Sequence, residues 1–338
     1  MIVHARLSIR SIKRYLLAAG LGALLSLVCL WPVQAQGSAV EKFPSQAVTI
    51  VVPFPAGGST DYVARAMAHS LSENWKVPVL VENRVGAGGN IGADFVARAP
   101  ANGHTVLMGA VSTVTNPSLY KLAPYIPRLL VPIGVGVASP LVTVVRSDLS
   151  ATDVPALLAL SRNKAGGLNA ASAGAGTLSH LGLELLEADH KGNLHHVPYK
   201  GSTPALTDVM GGQVDLMIDT VVSASPAIVS GKVKALAVHT LRRIPTLPNV
   251  PTYEEQGLKG MSFSAWNVFM VPVGTPAERI AILHAAMSRA VREPAMAKGL
   301  GERGLEIIVQ TPAESLDAIR NDALRWEKVI RDKNIGLQ

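Results

Sequence analysis

The sequence predicts an α/β protein of two similar blocks joined by a hinge, with a ligand cleft between them. Apolar residues make up 48 % of the chain and charged residues 16 %, so a disordered chain is excluded. Short β-branched runs alternate with amphipathic segments, which is typical of strands connected by crossover helices. This pattern restarts after a Pro- and Gly-rich stretch at residues 123–140. Two blocks connected by more than one crossing favour a hinge architecture.

The N-terminus predicts export. Four basic residues precede an apolar run at residues 15–31, and small residues then end at Ala35. This order is typical of a signal peptide cleaved after Ala35, which places the mature protein in the periplasm. The alternative is an uncleaved anchor, although about 17 residues is the short limit for a membrane span. Cys29, the only cysteine, leaves with the signal, and Val28 before it disfavours a lipoprotein.

The charge of the chain disfavours nucleic acid as a partner. The formal net charge is +7, but the basic residues of the signal contribute a large part of it. The mature chain is therefore only weakly positive, and it has no run of basic residues with interleaved aromatics. A mature chain without cysteine makes no disulfide, so its stability must come from an aliphatic core.

The first block begins with a β-α-β-α-β pattern. Strands are predicted at residues 47–52, 79–81 and 106–108, and helices at 62–71 and 91–99. In the second block, strands are predicted at 141–145, 168–171, 195–197, 214–218 and 235–238, with helices at 154–161, 178–188 and 204–210.

The C-terminal tail has too few strands to fold alone. Strands are predicted at 265–271 and 306–309, with helices at 276–292 and 312–332. The tail is therefore expected to return to the first block. The predicted domains are residues 36–140 plus 246–338 as a discontinuous first domain, and residues 141–245 as an inserted second domain.

Two strand-to-helix loops have the composition of an anion site. One runs from Pro53 to Asp61 and the other from Ser172 to His180, and each passes through glycines to hydroxyl residues where a helix begins. Glycine allows backbone N–H groups to approach a ligand, and the start of a helix has unpaired N–H groups and a positive dipole end. One such loop in each block favours an anion shared between the blocks. The alternative for each loop is ordinary helix capping by Ser59, Thr60 or Thr177.

A third glycine cluster, from Gly86 to Gly92, also leads from a strand to a helix. Its spacing does not match a dinucleotide fingerprint, and no suitably placed acid follows about 20 residues on. The cluster is predicted to form a tight turn and one edge of the cleft, with Asn90 as a polar contact. We therefore expect no cofactor.

Catalytic motifs are weak. No Gly-x-Ser-x-Gly elbow occurs, and Ser179 and His180 are neighbours that point apart on a helix. His180 and Glu184 share a helix face but do not form a His-Glu-x-x-His motif, so no metal is predicted. On the strand at 195–197, one histidine ring is expected to be buried and the other solvated. A binding protein is favoured over an enzyme.

Several stretches resemble the Bug family of periplasmic solute-binding proteins, the receptors of tripartite tricarboxylate transporters. The matching stretches begin with residues 54–61 with Ala64-Arg65, 82–84 and 86–92, and continue with 197–202, 211–215, 248–252 and 274–276. The resemblance spans nearly the whole mature chain in order. It implies a type II periplasmic-binding fold that closes on a small carboxylate. It also implies that the loops at 54–61 and 172–180 hold the carboxylate through backbone amides and bridging waters.

The sequence departs from the family pattern at Val85, His104, residues 126–130 and Leu183, which concern turns and packing more than the two loops. The ligand stays open among dicarboxylates, amino acids, aromatic acids and nicotinic-type acids. Asp61 is a candidate for contact with a ligand ammonium, but a role in the first turn of the helix is favoured.

The predicted ligand-binding residues come from both blocks: Phe54, Ala56, Gly57, Gly58, Ser59, Thr60, Asp61, Asn90, Ser112, Ser172, Ala173, Gly176, Thr177, His180 and Asp219. The expected partners are a small carboxylate and either membrane transporter subunits or a sensor ectodomain. Transport and signalling both stay open as physiological outputs. The protein is expected to be a monomer.

Overall fold

A computed structural model of the protein describes residues 43–120 and 128–336. The predicted signal peptide, its cleavage site after Ala35 and Cys29 lie outside these residues. Within them, no helix is both long enough and apolar enough to cross a membrane.

The described residues form ten β-strands and ten α-helices. The strands are β1 (Val48–Val52), β2 (Val79–Asn83), β3 (Thr105–Ala110), β4 (Leu130–Arg146), β5 (Leu168–Ser172), β6 (Leu194–Pro198), β7 (Leu216–Thr220), β8 (Val233–Val238), β9 (Ser264–Pro272) and β10 (Glu306–Val309). The helices are α1 (Ser59–Trp75), α2 (Asn90–Ala97), α3 (Val111–Leu119), α4 (Val154–Asn163), α5 (Leu178–His190), α6 (Ser202–Met210), α7 (Val221–Val229), α8 (Ala277–Ala290), α9 (Pro294–Gly301) and α10 (Pro312–Asp332).

The strands fall into two groups, each built around a parallel triplet. In the first strand group, β1 lies between β2 and β3, and β3 pairs antiparallel with β9. In the second strand group, β5 lies between β6 and β7. The α/β class is confirmed, but the sheet is mixed rather than wholly parallel.

Strand β4 belongs to both groups. Residues 130–140 pair antiparallel with β9, and β10 pairs with β4 at residues 135–138. Residues 141–146 pair with β7 and β8. No strand was predicted in the stretch 123–140, but residues 130–140 are also strand. Gly136 explains part of this, because a Cβ there would lie 2.1 Å from the Asn267 carbonyl oxygen, so the close pairing requires glycine.

Three helices were not predicted: α3, α7 and α9. Pro117 lies inside α3 and Pro226 inside α7, and both helices are rich in β-branched residues, which disfavour helix. The long helix α10 was predicted, and Ile319, Trp326 and Ile330 on it are buried.

The core is mainly aliphatic, as the composition predicts. One buried cluster joins β1, β3, β4 and β9 to helices α1 and α8, and another joins β4, β5 and β7 to α6 and α7. Strands β9 and β10 of the C-terminal tail pair with strands of the first group. The exact domain limits at residues 140 and 246 stay a prediction.

Candidate functional site

A cavity lies between the two strand groups, at the carboxyl ends of β1, β3 and β7. Five helices begin at its wall. The capping residues of four of them line the cavity: Gly58 of α1, Ala110 of α3, Thr177 of α5 and Thr220 of α7. The fifth helix, α6, contributes its first residue, Ser202. The two predicted loops are thus joined by three further helix starts.

This arrangement makes the cavity favourable for an anion. Each helix starts with backbone N–H groups that have no partner inside the helix, and the dipole places partial positive charge at that end. Among the described residues that line the cavity, none is Lys, Arg or His, and Asp219 is the only ionisable one. A bound anion would therefore be held by backbone and hydroxyl groups rather than by a cationic side chain.

The first loop is shaped by Asp61. One carboxylate oxygen accepts hydrogen bonds from the Gly57 N–H at 3.0 Å and from Arg65 Nε at 2.9 Å, and the other accepts from Asn83 Nδ2 at 2.9 Å. Burial alone would raise the pKa of Asp61, but these hydrogen bonds hold it below its ordinary value. Asp61 therefore lies in the first turn of α1, as the favoured prediction from sequence had it, and its carboxylate is engaged within the protein.

This contact also removes the Gly57 amide from the groups that could face a ligand. Gly58 caps α1 with ordinary backbone angles (φ −78°, ψ 170°) and without a side-chain hydrogen bond. Capping of α1 by Ser59 or Thr60 is therefore not what the structure shows. Ser59 and Thr60 are the first two residues of α1 and line the cavity, so their N–H groups lie at its edge.

In the second loop, Thr177 contacts the loop itself. Its N–H donates to the Gly174 carbonyl at 3.1 Å, and its hydroxyl donates to the same oxygen at 2.6 Å. The Gly176 N–H donates to His180 Nδ1 at 3.2 Å. The expectation that Thr177 and Gly176 offer amides to a ligand is therefore revised. The next N–H groups, those of Leu178 and Ser179, begin α5 at the cavity wall.

His180 and His196 form a cluster that contacts this loop. His180 stacks on His196 with ring centroids 4.1 Å apart, and its Nε2 lies 3.1 Å from Glu184 Oε1. His196 Nε2 lies 2.6 Å from Ser172 Oγ. Burial lowers the pKa of His196 to about 4, so the ring is neutral at pH 7. In the described chain, these two rings and Glu184 have metal-ligating atoms within 4.8 Å of one another, although both nitrogens of His180 are already hydrogen-bonded.

The predicted site residues divide into two sets. Those that line the cavity are Phe54, Gly58, Ser59, Thr60, Ser112, Ala173, Thr177 and Asp219. Those that lie outside its lining are Ala56, Gly57, Asp61, Asn90, Ser172, Gly176 and His180. Most of the second set hold the surrounding loops. The Asn90 side chain, for example, accepts a hydrogen bond from Asn116 Nδ2 at 2.9 Å.

Sequence analysis missed several lining residues, among them Ser202, Thr220, Trp266 and Asn267. Ser202 follows Gly201 at the start of α6, and this Gly-Ser pair before a helix is the sequence signal that could have identified it. Thr220 was not predicted to line the site because helix α7, which it caps, was not predicted. Asn267 donates to Thr60 Oγ1 at 3.2 Å from β9, and no local pattern indicated this long-range contact.

The loops of the two strand groups contact each other directly. Thr203 Oγ1 donates to the Ala56 carbonyl at 3.1 Å, and Tyr120 OH donates to the Ala175 carbonyl at 3.0 Å. A Cβ on Gly88 would lie 2.3 Å from that same Ala175 oxygen. The third glycine cluster therefore permits a close approach between the two groups.

Asp219 is the buried acid of the site. Its side chain lies at the end of β7, and the residue is 2 % exposed. Oδ1 accepts from Ser202 Oγ at 2.6 Å and from the Thr220 N–H at 2.7 Å. Burial raises the pKa of Asp219 to about 7, and these two hydrogen bonds offset only part of that effect.

Comparison with known proteins relates this architecture to a receptor family. Residues 63–335 match the model of the tripartite tricarboxylate transporter family receptor. A UPF0065 protein from the tcbD-tcbE intergenic region of Pseudomonas sp. (strain P51) is 39 % identical over 86 % of this chain and 87 % of its own length. Protein BugT of Bordetella pertussis is 33 % identical over 88 % of this chain and 92 % of its own length.

Solved structures agree with this assignment. The periplasmic binding protein BugD superposes with a TM-score of 0.84 at 35 % identity, covering 87 % of this chain and all of BugD. R. palustris Rpa4515 with adipate gives a TM-score of 0.84 at 33 % identity, over 87 % of this chain and all of that one. MatC from Rhodopseudomonas palustris with bound malate gives 0.81 at 34 % identity, over 85 % of this chain and all of MatC. The chain therefore belongs to the tripartite tricarboxylate transporter receptor family, as a Bug-type solute-binding protein with the fold of periplasmic binding proteins.

Proposed function

We propose that the protein captures a small carboxylate in the periplasm and delivers it to the membrane subunits of a tripartite tricarboxylate transporter. The observation that carries the proposal is the convergence of five helix N-termini on one cavity without a Lys or Arg side chain among its described lining residues. Such a site favours an anion that binds backbone N–H groups. Its activity is then binding rather than catalysis, as in the receptor family to which the chain belongs.

The energetics of such a site are sufficient without a cationic clamp. A micromolar ligand requires about 8 kcal/mol of binding free energy. Hydrogen bonds to a charged group contribute about 1.5–3 kcal/mol each, so about four backbone donors suffice before ordering costs. The starts of α1 and α5 supply N–H groups from Ser59, Thr60, Leu178 and Ser179. These residues line the cavity from both strand groups.

Two relatives support a dicarboxylate as the ligand class. Rpa4515 is described with adipate and MatC with malate, and each is more than 30 % identical to this chain over most of its length. We therefore propose a dicarboxylate of four to six carbons, with one carboxylate at the helix N-termini.

Binding is proposed to close the two strand groups on the ligand. The hydrogen bonds of Thr203 with Ala56 and of Tyr120 with Ala175 join the two strand groups. These contacts exist only when the groups are close together, so a ligand that binds both groups favours the closed state. The radius of gyration should then fall when ligand is added.

Calorimetry with succinate, malate and adipate tests the proposed function. We expect at least one to bind at a single site. At 100 times its dissociation constant, that ligand should add about 2.7 kcal/mol of stability, or roughly 4 °C in melting temperature for a chain of this size. Native mass spectrometry of the freshly purified protein would weigh any ligand it already carries. If none of the three binds and the protein carries no carboxylate, the proposal is wrong.

A pair of matched variants locates the site. Gly58→Asp places a carboxylate at the cavity wall, where the backbone angles suit any residue and the nearest heavy atom to a new Cβ is 4.0 Å away. It should abolish binding without unfolding the protein, because the new charge repels the ligand and fills the site. Gly301→Asp adds the same charge at an exposed position with nothing within 4 Å, and should leave the affinity unchanged.

The periplasmic location includes a proposed cleavage after Ala35. The intact mass of the protein recovered from the periplasm tests it. A mass that includes residues 1–35, or a lipid on Cys29, would contradict the proposed processing.

A further inference from the structure

One carboxylate oxygen in the cavity has no protein partner. Asp219 Oδ2 is buried and makes no hydrogen bond with any group in the described parts of the chain, while Oδ1 is fixed by Ser202 and Thr220. The residue is 2 % exposed and belongs to the wall of the cavity, so this unpaired oxygen lies close to the space in which a ligand would bind. A buried unpaired polar atom in a native fold requires an explanation, since it has lost its hydrogen bonds to water without gaining a partner in the protein.

No neighbouring charge provides that explanation. The ionisable side chains on the elements around Asp219 are either bound to other partners or exposed. Lys200 is exposed. The bound pairs are Asp61 with Arg65, His180 with Glu184, His196 with Ser172, Asp208 with Tyr199, Arg146 with Asp215, Lys234 with the Leu149 carbonyl, and Asp322 with Trp266. A cation that would hold Asp219 as a carboxylate is therefore missing among the described lining residues.

We propose that Asp219 takes up a proton on Oδ2 from solvent and, as the neutral carboxyl group, donates a hydrogen bond to an oxygen of the bound dicarboxylate, so that ligand capture takes up one proton. This inference rests on the proposed function, and it makes Asp219 the group that selects the charge of the ligand. A ligand that presents a carboxylate oxygen to Asp219 is accepted together with a proton. The proton comes from solvent and stays on Asp219, and no covalent bond forms or breaks.

The electrostatic environment of Asp219 agrees with its proposed protonation in the complex. Burial raises the pKa of Asp219 to about 7, so the residue is poised between its two protonation states near neutral pH. A ligand carboxylate beside it would raise the pKa further, because two like charges in a dry cavity repel each other. Above pH 7, binding must then be accompanied by protonation. The affinity for a dianion should fall about tenfold for each pH unit above the pKa of the free protein.

A ligand ammonium group would have the opposite effect. It would pair with ionised Asp219, and binding would then release protons or leave their number unchanged. The direction of proton transfer therefore distinguishes a dicarboxylate next to Asp219 from an amino group next to Asp219.

Calorimetry in two buffers of different ionisation enthalpy measures this proton number directly. The probe is whichever of succinate, malate and adipate binds most tightly, titrated between pH 6.5 and 8.5, where its carboxylates stay ionised. For the unmodified protein, we expect the uptake to rise towards one proton per ligand at pH 8.5, with the affinity falling about tenfold per pH unit above pH 7.

Asp219→Asn is the informative variant, because the amide keeps an oxygen for Ser202 and Thr220 and offers a permanent N–H in place of the proton. It should bind the same probe with no proton uptake and with an affinity that does not change with pH. Asp208→Asn is the matched control. Asp208 lies on α6 outside the cavity lining and accepts a hydrogen bond from Tyr199. This control should keep the full pH dependence.

A second readout does not depend on the stability of a variant. In the unmodified protein at pH 8, an infrared difference spectrum on adding the probe should gain the band of a protonated buried carboxyl group. Proton uptake of zero across the pH range, or loss of binding in Asp219→Asn with proton release in the unmodified protein, would overturn the inference while leaving carboxylate capture intact. Failure of all three probes to bind at any pH would instead overturn the proposed function, and this inference with it.

Discussion

Gly88→Ala tests whether the close approach of the two strand groups is required for binding. Gly88 has φ +62°, and an added Cβ would lie 2.3 Å from the Ala175 carbonyl oxygen of the other group. Real Cβ atoms do not approach a backbone oxygen so closely, so the two loops must separate by close to 1 Å. A positive φ also costs an alanine roughly 1–2 kcal/mol. The steric contact acts only in the closed state, whereas the cost of the positive φ acts in the open and closed states alike.

The expected magnitudes follow from this separation. Overpacking of this kind costs about 1–3 kcal/mol, so ligand affinity should fall by roughly 5- to 150-fold. Gly212→Ala is the matched control, because Gly212 has a similar φ of +71° and nothing within 4 Å of an added Cβ. Both variants should lose about 1 kcal/mol of unfolding free energy, but only Gly88→Ala should bind more weakly.

Calorimetry with a dicarboxylate measures the affinity, and urea unfolding measures the stability. Unchanged affinity in Gly88→Ala, relative to the unmodified protein, would refute the idea that closure at this contact contributes to binding. Weakening of the same size in Gly212→Ala would show that the effect is not specific to the contact between the groups.

Three further predictions concern single side chains. In the ligand-free protein, the pKa of Asp219 near 7 exceeds its unfolded value, so its effect on stability is most favourable below pH 4 and is lost as pH rises to 7. The difference in urea unfolding free energy between the unmodified protein and Asp219→Asn should therefore fall by about 4 kcal/mol over this range, and a flat difference would contradict the pKa. Asp61→Asn removes a carboxylate whose pKa is lowered, so its destabilising effect should be present at pH 7 and vanish in acid, as measured by the same unfolding series. Tyr120→Phe deletes the hydrogen bond to the Ala175 carbonyl and should weaken dicarboxylate binding several-fold without changing the melting temperature of the free protein by more than about 2 °C; unchanged affinity would exclude this bond from closure.

Local patterns predicted the central parallel strands and the two glycine-containing loops. Strand β1 and helix α1 are indicated by a β-branched run followed by glycines and an amphipathic segment. Of the three further helices whose N-termini reach the cavity, α3 and α7 were missed for a physical reason. Helices α3 and α7 contain proline and β-branched residues, and they are stabilised by packing rather than by propensity. Helix propensity read from the sequence therefore identified only part of the site.

The contacts within the loops were also not predictable from sequence. Asp61 lies in the first turn of α1 as expected, but its partners Gly57, Arg65 and Asn83 were not predicted. Asn83 is 22 positions away, and only the pairing of β1 with β2 brings it near. The same applies to Asn267, which reaches Thr60 from β9. Residue type and spacing identify a loop, whereas the register of the sheet decides which of its groups stay available.

The central claim is that helix N-termini from both strand groups hold a carboxylate without a cationic side chain. A crystal structure with the most tightly bound of succinate, malate and adipate tests it most directly. We expect one ligand carboxylate in the cavity, with its oxygens or their bridging waters about 3 Å from backbone N–H groups at the starts of α1 and α5. A carboxylate paired with a Lys or Arg side chain, or bound outside this cavity, would contradict the account.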